Sequence, residues 1–180
     1  NTAIIMAGNF PLAGLHDLIS VIISGNNAII KPASDDKILI EYFVNYLYTK
    51  FPKTKDLIRI NYDKLIDFDK VIATGSNNTF KYFDYYFREK KSLLRKNRTS
   101  LAVLSGNESD KELNLLSDDI FMYFGLGCRN VSKLFIPRKY DLEILKKSLN
   151  KYDYIINHHK YSNNYNYQKT IKLMNSEKFI

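Results

Sequence analysis

The chain has 180 residues, 45% of them hydrophobic and 26% charged, enough apolar material for one packed domain or for one domain and the edge of a second. No run approaches the roughly 18 uninterrupted apolar residues of a membrane-spanning helix; the longest lies around residues 18–23 and contains Ser20. One cysteine excludes an internal disulfide framework and a cysteine-rich zinc site, and fits a reducing compartment, so a cytoplasmic protein is expected.

Three scattered histidines, His16, His158 and His159, do not suggest a metal centre. The formal charge of +8 invites a nucleic-acid partner. The lysines are dispersed, however, in a chain rich in Lys, Asn, Ile and Tyr together, a compositional bias rather than a basic patch. No nucleic-acid binding is expected, and the excess charge suits phosphate-bearing ligands instead. The sequence opens on Asn1 with an apolar run and stops at Ile180 without a helix stop signal, so a fragment is expected.

Strand-length apolar runs alternate with longer segments of helical periodicity, the pattern of a parallel α/β sheet with flanking helices. Residues 3–7 read as a strand ending at Gly8, 12–24 as a helix stopped by Gly25-Asn26, and 28–31 as a second strand broken by Pro32. Ser34 or Asp35 can cap a helix over 38–50. Strands follow at 57–60 and 70–73, and then a helix over 78–90 with Phe80, Phe83, Tyr86 and Phe87 as a core-facing stripe. Residues 101–104 read as a fifth strand, 110–124 as a helix capped by Ser109, 133–136 as a strand and 141–151 as a helix. The Asn/Tyr/Lys-rich stretch 161–168 reads as irregular.

Four short elements stand in chain order: Gly8-Asn9-Phe10-Pro11, Ile30-Lys31-Pro32-Ala33-Ser34, Thr74-Gly75-Ser76 and Gly125-Leu126-Gly127-Cys128. Three follow strands and one follows a helix, where ligand-facing loops of an α/β sheet belong. In this order they resemble the aldehyde dehydrogenase superfamily. The longer strings Ala73-Thr74-Gly75-Ser76-Asn77-Asn78-Thr79 and Tyr123-Phe124-Gly125-Leu126-Gly127-Cys128-Arg129-Asn130-Val131-Ser132-Lys133 resemble, more narrowly, acyl-CoA reductases of the bioluminescence fatty-acid reductase type. The resemblance runs from Met6 to about Tyr167. It implies a Rossmann-like cofactor domain over 1–124, a truncated catalytic lobe over 125–180, and a homo-oligomer when complete.

Each element has a chemistry. A Cys128 thiolate can attack an acyl thioester to give an acyl-enzyme, a role for which a neighbouring cation such as Arg129 is a suitable companion. Alone, Cys128 reads more readily as a small buried hydrophobe, the usual place of a lone cysteine, and it is the motif and the resemblance that favour a nucleophile. Asn9, otherwise an ordinary turn residue, can donate to the oxyanion formed on addition, the role that the resemblance assigns it. Lys31 and Ser34 are cofactor candidates: NAD-preferring relatives place a Glu where Ser34 stands, and a carboxylate there would repel a 2′-phosphate, so NADPH is expected. Gly75 and Ser76 form a strand-to-helix turn suited to pyrophosphate, although Phe80 replaces a glycine that the resemblance leads one to expect.

Hydrolytic aldehyde dehydrogenases carry a Glu-Leu-Gly-Gly element whose Glu activates water; alignment puts Arg95 at that place. The resemblance therefore implies NADPH-dependent reduction of a fatty acyl thioester to the aldehyde, without hydrolysis. Another acylating or semialdehyde dehydrogenase of the superfamily, or a non-catalytic nucleotide-binding module, are the alternatives.

Overall fold

Thr2–Ile5 forms β1, the middle strand of a five-stranded parallel sheet, in a computed structural model that describes residues 1–175. The chain runs from β1 through α1 (Leu15–Ile23) to β2 (Ala28–Lys31), and through α2 (Lys37–Lys50) to β3 (Ile58–Ile60). It then returns across β1 to β4 (Lys70–Thr74), α3 (Asn77–Phe87) and β5 (Lys91–Arg95), giving the order β3-β2-β1-β4-β5. Connections leave in opposite directions on the two sides of β1, so the β1/β4 boundary is a topological switch point, where α/β sheets bind ligands at the carboxyl edge.

The period-two alternation of the strands divides the apolar side chains between two faces. Ile4, Met6, Ala28, Ile30 and Ile58 pack with Leu18 and Val21 of α1 and with Ile40 and Val44 of α2. On the other face Ala3, Val71 and Ala73 meet Phe83 and Phe87 of α3 together with Leu65 and Phe68. Each fully buried Ile or Leu contributes about 1.5–3 kcal/mol by its removal from water.

Residues Asn1–Arg98 make one compact unit and Thr99–Ile180 a second. In the second unit β6 (Ser100–Val103) pairs in parallel with β7 (Val131–Phe135), the crossover being α4 (Asp110–Phe121). Leu104, Leu113, Leu116 and Leu145 form its core with α5 (Leu142–Leu149). The chain continues into α6 (His159–Met174). Although β6 and α4 precede residue 125, they pack with β7 and α5.

Several expectations need correction. The strand expected at 101–104 is present as β6, but it opens a second sheet, and the fifth strand of the large sheet is β5, which the sequence reading passed over. α1 starts at Leu15 rather than at residue 12, because Leu12 adopts a positive φ of 58°. Neither Ser34 nor Asp35 caps α2; Asp36 occupies the N-cap position, and its side chain serves another segment. Tyr86 is 70% exposed and leaves the aromatic stripe, while Phe83 and Phe87 pack on the core. Residues 161–168 lie within α6. Ser109 does cap α4, with Glu112 completing a capping box.

Candidate functional site

The loops that leave β1, β2 and β4 carry five of the sequence-derived residues at one edge of the sheet. Asn9 is in the loop after β1, Lys31 ends β2 with Ser34 just beyond it, and Gly75 and Ser76 join β4 to α3. These three strands are neighbours in the order β2-β1-β4 and parallel, so their carboxyl ends fall on one edge.

The loop carrying Asn9 is closely seated. A Cβ at Gly8 would lie 2.5 Å from the Cβ of Ala33, so only glycine lets this loop approach the one after β2. A carboxylate oxygen of the buried Asp36 accepts the Leu12 backbone N–H at 2.8 Å, fixing the turn where Leu12 holds its left-handed conformation. Burial pushes the Asp36 carboxyl up, and the backbone N–H groups of Leu12 and Ala13 partly offset this. The sequence reading missed Asp36; its signal was an acidic run, Asp35-Asp36, one residue of which is drawn inward.

Lys31 donates through Nζ to the backbone oxygen of Asp63 at 2.8 Å, which holds its ammonium beside the loop following β3. Ser34 is exposed and its hydroxyl lies 3.4 Å from the Asp35 carboxylate. Ser76 caps α3, its Oγ accepting the Thr79 N–H at 3.1 Å. Gly75 extends the β4/β5 ladder by donating to the Arg95 carbonyl at 3.1 Å. A Cβ on Gly75 would meet Thr79 and the Phe83 ring at 3.0 Å. Phe80, at the expected glycine, has the Lys96 ammonium 5.7 Å from its ring centroid.

The basic side chain that replaces the expected carboxylate is firmly held. Arg95 ends β5, and its Nη1 donates to both oxygens of the buried Asp17 on α1, each at 2.7 Å. Asp17, too, was unnoticed in the sequence; its partner is 78 residues away, and no local pattern announces it.

Cys128 belongs to the second unit, between α4 and β7, and is exposed. The chain reaches it from α4 through Tyr123, Phe124 and Gly125 at φ 54°, 58° and 70°, three successive left-handed residues. Two of them are not glycine and each costs about 1–2 kcal/mol relative to the right-handed form. Gly127 to Asn130 then form a tight turn, the Asn130 N–H donating to the Gly127 carbonyl at 3.1 Å. Ser100 Oγ donates to the Cys128 carbonyl at 3.4 Å, tying the turn to β6.

Among the described residues no group of three His, Cys, Asp or Glu side chains is placed to hold a metal ion. Among them also, no helix is long and apolar enough to cross a membrane.

Solved structures decide the fold. A putative aldehyde dehydrogenase from Burkholderia cenocepacia superposes with a TM-score of 0.72 at 19% identity, over 82% of this chain and 34% of that one. The fold is aldehyde dehydrogenase-like. An aldehyde dehydrogenase from Bacillus cereus, solved as its NAD+ complex, gives a TM-score of 0.68 at 21% identity over 83% of this chain and 33% of that one. Proline Utilization A from Corynebacterium freiburgense gives 0.69 at 19% identity, over 82% of this chain and 16% of that much longer one. The chain thus spans about a third of the aldehyde dehydrogenases that it resembles. No family model matches the sequence, and no curated protein matches it.

Proposed function

We propose that this chain is the cofactor-binding and nucleophile-bearing part of an NADPH-dependent reductase of fatty acyl thioesters. The observation that carries the reading is the gathering of Asn9, Lys31, Ser34, Gly75 and Ser76 at the carboxyl ends of β1, β2 and β4, around the switch point of an aldehyde dehydrogenase-like sheet.

This edge suits a dinucleotide. The Lys31 ammonium and the N-terminal end of the 11-residue α3 offer positive charge for phosphates. Ser34 itself brings a hydroxyl and no charge to a 2′-phosphate, and the exposed Asp35 carboxylate 3.4 Å from that hydroxyl opposes one only in part. Bound there, NADPH would supply hydride.

The chain's own residues account for the remaining steps. The Cys128 thiolate attacks the thioester carbonyl; the carbon–sulfur bond to the carrier breaks, and the carrier thiolate leaves and takes up a proton. Asn9 donates to the oxygen that becomes negative during addition. After hydride addition to the acyl-cysteine carbonyl, the aldehyde departs and the Cys128 thiolate is regenerated. The sum is acyl-S-R, NADPH and a proton giving aldehyde, NADP+ and the carrier thiol. Arg95, committed to Asp17, offers no general base for water, which favours reduction over release of a free acid.

Incubation with radiolabelled long-chain acyl-CoA tests the reading. The wild-type chain should retain a hydroxylamine-labile label and Cys128→Ala should not. Equal labelling of the two proteins would overturn it.

A further inference from the structure

The turn that holds Cys128 is fastened by one side chain. Asn130 Oδ1 accepts the Gly127 N–H at 2.8 Å, while the Asn130 backbone N–H donates to the Gly127 carbonyl at 3.1 Å. Two hydrogen bonds therefore close the short loop Gly127-Cys128-Arg129-Asn130 on itself, with the thiol residue inside. The same side chain faces the other way with Nδ2, which donates to the carbonyls of Asp119 at 2.9 Å, Met122 at 3.0 Å and Ile120 at 3.4 Å.

Those three carbonyls lie at the end of α4, where the helix leaves acceptors without intrahelical donors. The chain beyond them, Tyr123 to Gly125, is the left-handed segment, which needs outside support to persist. Asn130 satisfies the helix end and grips the nucleophile turn at once. The fit is close on the turn side: a Cβ on Gly127 would lie 2.6 Å from Asn130 Oδ1. Only an amide offers both functions here. Aspartate keeps the acceptor but not the donor, and alanine keeps neither.

We propose that Asn130 is a positioning residue for Cys128, its side-chain amide fastening the nucleophile turn to the end of α4. The proposal rests on the acyl-cysteine reading above for its chemical consequence, but not for its geometry. A nucleophile must be held within about an ångström of its attack position, and losses near 100-fold follow from displacements of that size. The group that anchors an exposed thiol should therefore act on the rate of acyl transfer and leave acyl binding alone.

The experiment compares wild type with Asn130→Ala and Asn130→Asp in the full chain, with thermal melts to establish that each is folded. With long-chain acyl-CoA as donor, Asn130→Ala should lower kcat for Cys128 acylation at least about ten-fold while KM changes less than about three-fold. Asn130→Asp should fall between the two. An unchanged kcat, or a loss wholly in KM, would overturn the proposal.

Two further measurements need no substrate. Amide exchange over residues 122–130 should quicken in Asn130→Ala with the rest of the second unit unaltered; unchanged exchange, or loosening spread through that unit, would sink the idea. Gly127→Ala should quicken the same segment in wild type but add little in Asn130→Ala, since the group it strikes is gone; full additivity would count against the clasp. If wild type takes no acyl label, the functional reading fails, and these two measurements still decide the role of Asn130.

Discussion

Arg95 Nη1 donates to both carboxylate oxygens of Asp17 at 2.7 Å, joining the end of β5 to the first turn of α1 across the sheet. Asp17 is 7% exposed, so its charge is tolerable only with a cation against it. Arg95 is the more open partner, its side chain 30% exposed. Removing it by Arg95→Ala strands a nearly buried carboxylate, and loss of one partner of such a pair costs about 3 kcal/mol. Arg95→Lys keeps the charge and should lose less. Urea unfolding of the three proteins decides this; a change in Arg95→Ala below about 1 kcal/mol would mark the pair as an ordinary surface contact.

The elements legible in the sequence are those whose burial is written in the local pattern. β1, β2 and β4 were readable because Ile4, Ile30 and Val71 sit in short apolar runs buried on the sheet. β5 was not: Lys91, Ser92 and Leu93 are exposed at the sheet edge, and Leu94 alone of its apolar residues packs on the core. α6 escaped for the same reason, no residue of it being buried among those described. The candidate residues were legible because they stand in four short elements whose chain order resembles a known superfamily; periodicity alone placed those elements in loops but gave them no role. Asp17 and Asp36 act through partners 78 and 24 positions away, and such pairings leave no trace in a local window.

Asp36 should give stability a pH dependence of unusual sign for a carboxylate. Its folded pKa is raised above the ordinary 3.8, desolvation being the main cause. The native state therefore holds the proton longer than the unfolded one, and this group's contribution falls as pH rises from the unfolded to the folded value. Above that window the cost of the buried charge is fully present. Asp36→Asn keeps an acceptor for the Leu12 N–H without the charge, so its stability relative to wild type should rise between pH 4 and pH 7. Asp36→Ala leaves the N–H unmatched and should lose about 1–3 kcal/mol. Asp118 works in the opposite sense: hydrogen bonds from Lys151 and Tyr152 lower its pKa, so its contribution is present above 3.8 and lost as pH falls. Denaturant midpoints at the two pH values separate the variants. A wild-type-to-Asn difference that is flat with pH would remove the argument.

Asp35 gives the cofactor preference a handle. It stands beside Ser34, its carboxylate 3.4 Å from the Ser34 hydroxyl and exposed. One negative charge about 4 Å from a second costs about 1 kcal/mol in water, roughly five-fold in affinity. If the 2′-phosphate of NADPH sits by Ser34, Asp35→Asn should tighten NADPH by about that factor and leave NADH nearly unchanged. Fluorescence titration with both nucleotides gives the two dissociation constants. An equal shift in both, or none, would place the 2′-phosphate elsewhere.

Ser76 and Ser109 offer a matched pair for asking whether the start of α3 receives the cofactor. Each caps a helix, Ser76 Oγ accepting from Thr79 N and Ser109 Oγ from Glu112 N. Substitution of either by alanine should cost about 1 kcal/mol of stability, the usual value of such a cap. Only Ser76 follows a strand of the large sheet at the switch point, where the N-terminal N–H groups and dipole of α3 would face a pyrophosphate. Ser76→Ala should therefore weaken NADPH binding as well as stability, whereas Ser109→Ala should lower stability alone. Calorimetric titration with NADPH, at a temperature where both variants are folded, reads the difference. Equal weakening would trace the effect to general destabilisation, and undiminished binding in Ser76→Ala would take the Ser76 hydroxyl out of the cofactor site.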